Sequence, residues 1–113
     1  MYFYEKELAR IKNDWEKTHP ERVKIFSQQY LENGFSDEDT WNLDIHLAKL
    51  IYPRLVRFKE IACVVIDWPL NEIIEAFRLI VDENVDFFNE PENYEKIKKG
   101  LKLFAEYYFK LWW

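Results

Sequence analysis

The stretch Ser36-Asp37-Glu38-Asp39-Thr40-Trp41-Asn42-Leu43-Asp44-Ile45-His46-Leu47-Ala48-Lys49-Leu50-Ile51-Tyr52-Pro53-Arg54-Leu55-Val56-Arg57-Phe58-Lys59 decides the fold. Its opening has the form of a capping box: Ser36 accepts from the backbone N–H of Asp39, and the Asp39 carboxylate reaches back to the N–H of Ser36. Placed on a helical wheel from Trp41, residues Ile45, Tyr52, Ala48, Leu55, Ile51, Phe58, Leu47, Leu43 and Leu50 fill one continuous apolar arc. Asn42, His46, Lys49 and Arg57 form the narrow polar strip that is left. This pattern predicts a central helix over about 37–59, packed on several neighbours. Pro53 lies well inside it, where a lost hydrogen bond and a clash cost roughly 3 kcal/mol unless a kink absorbs them. A bend is therefore expected near Lys49–Pro53.

Upstream, Tyr4, Leu8, Ile11 and Trp15 set a single apolar stripe on a helix from Phe3 to about Lys17. His19-Pro20 breaks that helix and opens the next, from Pro20 to about Glu32, whose thin apolar face is Val23, Phe26, Tyr30 and Leu31. Asn33-Gly34 is its stop. Downstream, the β-branched run Ile61 to Ile66 has no second strand to pair with and reads as a buried connection, with Cys63 inside it as a small hydrophobe. Asp67 and Pro69 then start a helix that stays apolar on one face through Leu70, Ile73, Ile74, Phe77, Ile80, Val81 and Phe88. After Asn89-Glu90-Pro91-Glu92, the last helix aligns Tyr94, Ile97, Leu101, Phe104, Ala105, Tyr108 and Trp112. Gly100 costs that helix about 1 kcal/mol against alanine, which predicts a neighbouring backbone in close approach. The fold class is all-α: a compact bundle of about five helices around the proline-kinked helix 37–59, in a single helical domain over 1–113.

A chain of 113 residues buries a core without metal or disulfide staples. Aromatic residues are 19% of it, so rings supply much of that core and some must meet solvent or a partner. With 21 acids against 16 bases, the net charge of −5 argues against duplex nucleic acid as a partner. The bases are interspersed, which also argues against an acidic DNA mimic. One cysteine makes no internal disulfide and fits a reducing compartment. No run approaches the ~18 apolar residues of a membrane span, and the acidic N-terminus is unlike a signal peptide. A soluble, cytosolic protein is expected.

Several segments resemble a group of small proteins encoded by tailed bacteriophages and prophages. The resemblance lies in Gly34-Phe35-Ser36-Asp37 leading into Trp41-Asn42-Leu43-Asp44, then Ala48-Lys49, Pro53-Arg54-Leu55 and Phe58-Lys59. It resumes in Tyr94-Glu95-Lys96-Ile97, Gly100-Leu101-Lys102-Leu103-Phe104-Ala105, Tyr108-Phe109 and Leu111-Trp112. It covers roughly 34–60 and 70–112; residues 1–33 take no part in it, and 61–68 is shorter than its counterpart. The resemblance brings no catalytic residue with it. It implies a phage origin and action in the cytoplasm of a bacterial host.

Four sets of residues are candidates for function. Asp44 falls near the middle of the apolar arc, where a carboxylate needs a partner; it reads as a buried structural acceptor, with a pocket-lining role as the alternative. Arg54, Arg57 and Lys59, and Lys96, Lys98, Lys99 and Lys102, lie beside aromatic residues and suit a small nucleotide's phosphate and base, or else are wet helix faces making ordinary ion pairs. Of these, Arg54, Arg57, Lys98, Lys99 and Lys102 are the candidate ligand- or partner-binding residues. At the C-terminus, one helical face cannot bury Tyr107, Phe109 and Trp113 together with Tyr108, Leu111 and Trp112, so the first three form a candidate association surface, unless Tyr2, Phe3 and Tyr4 fold over it. His19 and His46 have no second ligand at metal spacing, and no serine or cysteine has an activating base, so no metal, cofactor or enzyme activity is expected. The function read from the sequence is a non-enzymatic phage accessory protein, homo-oligomeric, inhibiting host antiviral defence by binding a defence protein or its nucleotide signal. The alternative is a virion structural or assembly protein.

Overall fold

The computed structural model describes residues 10, 11, 13–15 and 17–113. Tyr2, Phe3, Tyr4 and Leu8, on which part of the first-helix reading rests, lie outside them. The described residues are all-α, with no strand. Residues 10, 11, 13–15, 17 and 18 are helical. They are followed by α1 (Pro20–Asn33), a 3₁₀ turn (Asp37–Thr40), α2 (Leu43–Ile61), α3 (Leu70–Val81), α4 (Pro91–Glu106) and a second 3₁₀ turn (Tyr108–Lys110). Where the sequence reads as one domain, the contacts fall into two compact units, Met1–His46 and Leu47–Trp113.

In the first unit, the start and stop signals work as the residue types dictate. Pro20 occupies the first turn of α1, and Gly34 takes the left-handed conformation (φ 80°) that lets its N–H close on the Tyr30 carbonyl at 2.9 Å. α1 has no fully buried residue. It is tied down instead by the Gln29 side-chain amide, which donates to the Asp37 carboxylate and accepts the Asp37 N–H, both at 2.8 Å. Trp15 lies between rings, stacked on His19 at 4.4 Å and on Phe26 at 5.5 Å.

The expected central helix over 37–59 is broken near its start. Ser36 does donate its N–H to the Asp39 carboxylate at 2.9 Å, but the turn this caps is a 3₁₀ turn that ends at Thr40. Trp41 is extended and Asn42 is left-handed (φ 50°), a conformation that asparagine tolerates better than most side chains. The α-helix begins only at Leu43, so wheel angles counted from Trp41 do not carry across the break. Pro53 sits inside α2 as predicted.

The core belongs to the second unit and is centred on α3. Leu70, Ile73, Phe77 and Val81 are buried there with Ala48 and Leu55 of α2. Ala76 and Leu79 are buried as well, so α3 is covered on more than one side while α2 keeps Leu47 and Leu50 exposed. α3, and not the 37–59 stretch, is the enclosed helix. It starts without the help of Asp67: Pro69 makes a tight turn in which the Leu70 N–H reaches the Trp68 carbonyl at 2.7 Å. It stops at Val81, seven residues before the expected end, because Asp82 leaves helical conformation (ψ 109°) and its carboxylate takes the Asn84 N–H at 3.0 Å. Phe88 is consequently exposed.

The connection 62–69 has no regular structure and is not a buried linker throughout. Cys63 and Val65 are exposed while Val64 and Ile66 are half-buried, the alternation of an extended chain with one face covered. Cys63 is therefore not the enclosed hydrophobe expected.

The predicted close approach at Gly100 is present, and it joins α3 to α4. A Cβ placed on Gly100 would overlap the Ala76 Cβ and lie 2.9 Å from the Glu72 carbonyl oxygen. Phe104 packs edge-on to Phe77 at 5.1 Å one turn further along.

Candidate association surface and basic groups

α4 presents Ile97 and Gly100 as its fully buried residues, with Leu103, Phe104 and Tyr107 packed against the core after them. The helix ends at Glu106 and tightens into the 3₁₀ turn, which shifts the phase of the last rings. Tyr107 turns inward and stacks on Trp68 at 5.8 Å with 13° between planes. It is thus a packing residue rather than part of the association surface. Phe109 and Trp113 are exposed as expected, Phe109 at 88% of its area, and Tyr108 and Trp112, expected on the packed face, join them. Leu111 returns to the core.

Asp44 is exposed, which corrects its reading as a buried acceptor. It occupies the first turn of α2, where a carboxylate faces the unpaired N–H groups of a helix start and is favoured without any partner from another helix. His46 is half-buried. The His19 Nδ1 lies 2.9 Å from the Trp15 carbonyl and 2.8 Å from the Thr18 hydroxyl. Among the described residues, no three His, Cys, Asp or Glu side chains gather as a metal site.

The candidate basic residues divide between two helices. Arg54 folds back along α2, its guanidinium donating to the Leu50 carbonyl at 2.8 Å. Arg57 pairs with Glu60 one turn on, at 3.1 Å. On α4, Lys98 lies 5.4 Å above the Tyr94 ring and 3.8 Å from Glu95, and Lys99 bridges to Glu72 of α3 at 3.0 Å. Lys98, Lys99 and Lys102 line a shallow surface depression with Glu95, Lys96 and Leu101; neither arginine reaches it. All six lining residues come from α4 alone, so the depression is the groove between side chains of one helix and offers no opposing wall to a nucleotide.

Two features escaped the sequence reading. The Arg78 guanidinium grips Glu75 through two bonds of 2.8 and 2.7 Å and reaches Asp82 at 3.3 Å. That hydrogen bonding, aided by the positive charge, holds the Glu75 carboxyl below its ordinary value and raises the guanidinium's affinity for its proton. The spacings of three and four residues were visible, but nothing in them singles out this pair from other acid–base pairs in the chain. The second is a cleft of about 240 Å³ in the first unit, with Val23, Phe26 and Tyr30 on one side and Ser36, Glu38 and Asp39 on the other.

Compared with family models, with curated proteins and with solved structures, the chain has no match.

Proposed function

We propose that the chain is a non-enzymatic phage accessory protein that acts by binding a protein of its bacterial host, in the manner of an inhibitor of antiviral defence. The observation that carries the reading is the amount of large apolar side chain left in water. Tyr108, Phe109, Trp112 and Trp113 are exposed in the second unit, and Tyr30, Leu31, Phe35 and Trp41 in the first. Scattered surface leucines need no explanation, but aromatic residues grouped at one helix end are the composition of interface cores. A protein is favoured over a nucleotide signal as the target, because Lys98 and Lys99 are engaged by Glu95 and Glu72 and the lysine groove has a single wall.

The test is to express the chain in bacteria that carry a defined antiviral system and to measure the plating of a phage which that system restricts. The expected outcome is restored plating, with the chain copurifying with one component of the system. Unchanged plating, with the chain found instead in purified virions, would overturn this reading in favour of a structural or assembly role.

A further inference from the structure

Asn33-Gly34 ends α1, and the same pair has a chemistry of its own. The side-chain amide of an asparagine is open to attack by the backbone nitrogen of the next residue, most readily when that residue is glycine, because no Cβ stands beside the nitrogen. The chain has seven asparagines, and glycine follows only Asn33; each of the other six precedes a residue with a side chain. Asn33 is exposed, so water reaches it. In the folded turn the reaction is held back twice. Asn33 is the last residue of α1, and ring closure needs its ψ rotated well away from the helical value. The Gly34 N–H, which must lose its proton, is bonded to the Tyr30 carbonyl at 2.9 Å. Both restraints end when the last turn frays. α1 has no fully buried residue to resist fraying, and the tie across the turn is the pair of 2.8 Å bonds between the Gln29 amide and Asp37. Asn33 lies midway in sequence between those two residues.

We infer that Asn33 is a self-modification site gated by the last turn of α1, and that its conversion releases the Gln29–Asp37 tie in one irreversible step. When the turn opens, the Gly34 nitrogen gives its proton to water or hydroxide and bonds to the Asn33 Cγ. The Cγ–Nδ2 bond breaks, ammonia leaves with a proton from the solvent, and a succinimide ring is closed. Water then adds to either ring carbonyl. Opening at one leaves aspartate; opening at the other leaves isoaspartate, in which the main chain runs through Cβ and is one atom longer. Asparagine is not regenerated, because the ammonia is lost. Either product works against the turn. A carboxylate here faces the negative end of α1 beside Glu32, with no basic residue in the last turn to offset it. The longer main chain of isoaspartate moves the Gly34 N–H out of register with the Tyr30 carbonyl, and Asp37 out of register with Gln29. The first unit thus changes one way with time, whatever the chain binds.

The test incubates the full chain at mildly alkaline pH and follows position 33 by peptide mass spectrometry, with the isoaspartate form separated by chromatography. Conversion is expected at Asn33 before any other asparagine, and at least about five-fold more slowly than in a peptide of residues 30–37, five-fold being the worth of one hydrogen bond of the folded turn. Gln29→Ala is expected to raise the rate in the full chain about five-fold. Hydrogen exchange at the Gly34 amide, which needs the same opening, is expected to accelerate by the same factor, with the amides of α3 unchanged, so that the effect belongs to the turn and not to unfolding elsewhere. Asn33→Gln, whose attack would need a six-membered ring, is expected to stop conversion and to keep the Asp37 amide protected through an incubation in which the wild type loses that protection. Equal rates in chain and peptide, or in wild type and Gln29→Ala, overturn the gate, and earlier conversion at another asparagine overturns the site. An Asp37 amide as protected in the converted wild type as in Asn33→Gln overturns the release.

Discussion

Gly100→Ala puts the helix pair α3–α4 under a test in which two effects of known sign compete. By helix propensity the substitution should stabilise α4 by about 1 kcal/mol. Against that, the new methyl group overlaps the Ala76 Cβ and comes within 2.9 Å of the Glu72 carbonyl oxygen. Neither obstacle is the end of a flexible side chain, so relief requires the two helix backbones to separate and loosens the packing of Phe77 on Phe104. Overpacking of this kind costs up to about 3 kcal/mol, which leaves a net loss of about 2 kcal/mol and lowers Tm by about 8 °C. Thermal melts followed by circular dichroism measure it. Ala76→Gly alone should cost about 1 kcal/mol through propensity. Combined with Gly100→Ala it removes the worst overlap, so the double variant should be more stable than the sum of the two losses by at least about 1 kcal/mol. A Gly100→Ala protein that melts at or above the wild-type temperature, or losses that simply add, would show that the helices do not meet at this glycine.

Three further outcomes follow from the geometry. Glu75 has its folded-state carboxyl held below the ordinary value of 4.5, so its contribution is fully present above that pH and disappears as pH falls through the lower folded-state value. The stability gap between wild type and Glu75→Gln in urea titrations should thus be constant, at no more than about 1 kcal/mol for so exposed a pair, from pH 7 to pH 5, and close towards pH 3; a gap that does not change with pH refutes the pairing. Lys99→Ala removes an interhelical ion pair whose side chains are 69% and 52% exposed, and should shift stability by less than about 0.5 kcal/mol, in contrast to the neighbouring Gly100. Gln29→Ala removes both bonds to Asp37 and should speed hydrogen exchange at the Asp37 amide by about five-fold, the equivalent of 1 kcal/mol; unchanged exchange would mean that the amide is held by something else.

The parts of this fold that were legible in the sequence are those fixed by one residue's backbone chemistry. Proline at the head of α1 and within α2 fixes its own φ, and glycine after the end of α1 permits the left-handed turn, regardless of what surrounds them. Gly100 was legible for a related reason: a glycine in mid-helix is costly, and the compensation had to be a close neighbour. What could not be read was phase. The arc from Trp41 to Phe58 looked continuous because a helical wheel presumes an unbroken helix, and no residue type announces that Asn42 will turn left-handed. Asp44 keeps its phase with Ile51 and Leu55 inside α2, but with the helix starting at Leu43 it lies in the first turn, exposed, as an ordinary first-turn carboxylate. The end of α3 at Asp82 was lost in the same way, to an aspartate that prefers its own local turn to one more helical bond.

The same issue of phase decides how the last helix should be understood. Its aligned apolar residues were read as one face, as though Tyr94, Leu101 and Tyr108 were to be buried with Ile97 and Phe104. The structure separates them, because the position of Gly100 determines which side of α4 touches α3. A glycine opposite Ala76 directs Ile97 and Phe104 at the core and rotates Tyr94 and Leu101 towards solvent. The close approach that stabilises the second unit and the exposure of Tyr94 and Leu101 are therefore two consequences of one residue. A substitution that displaces α3 from Gly100 is expected to disturb both, whereas Leu101→Glu, at an exposed site, is expected to leave the close approach and the melt unchanged.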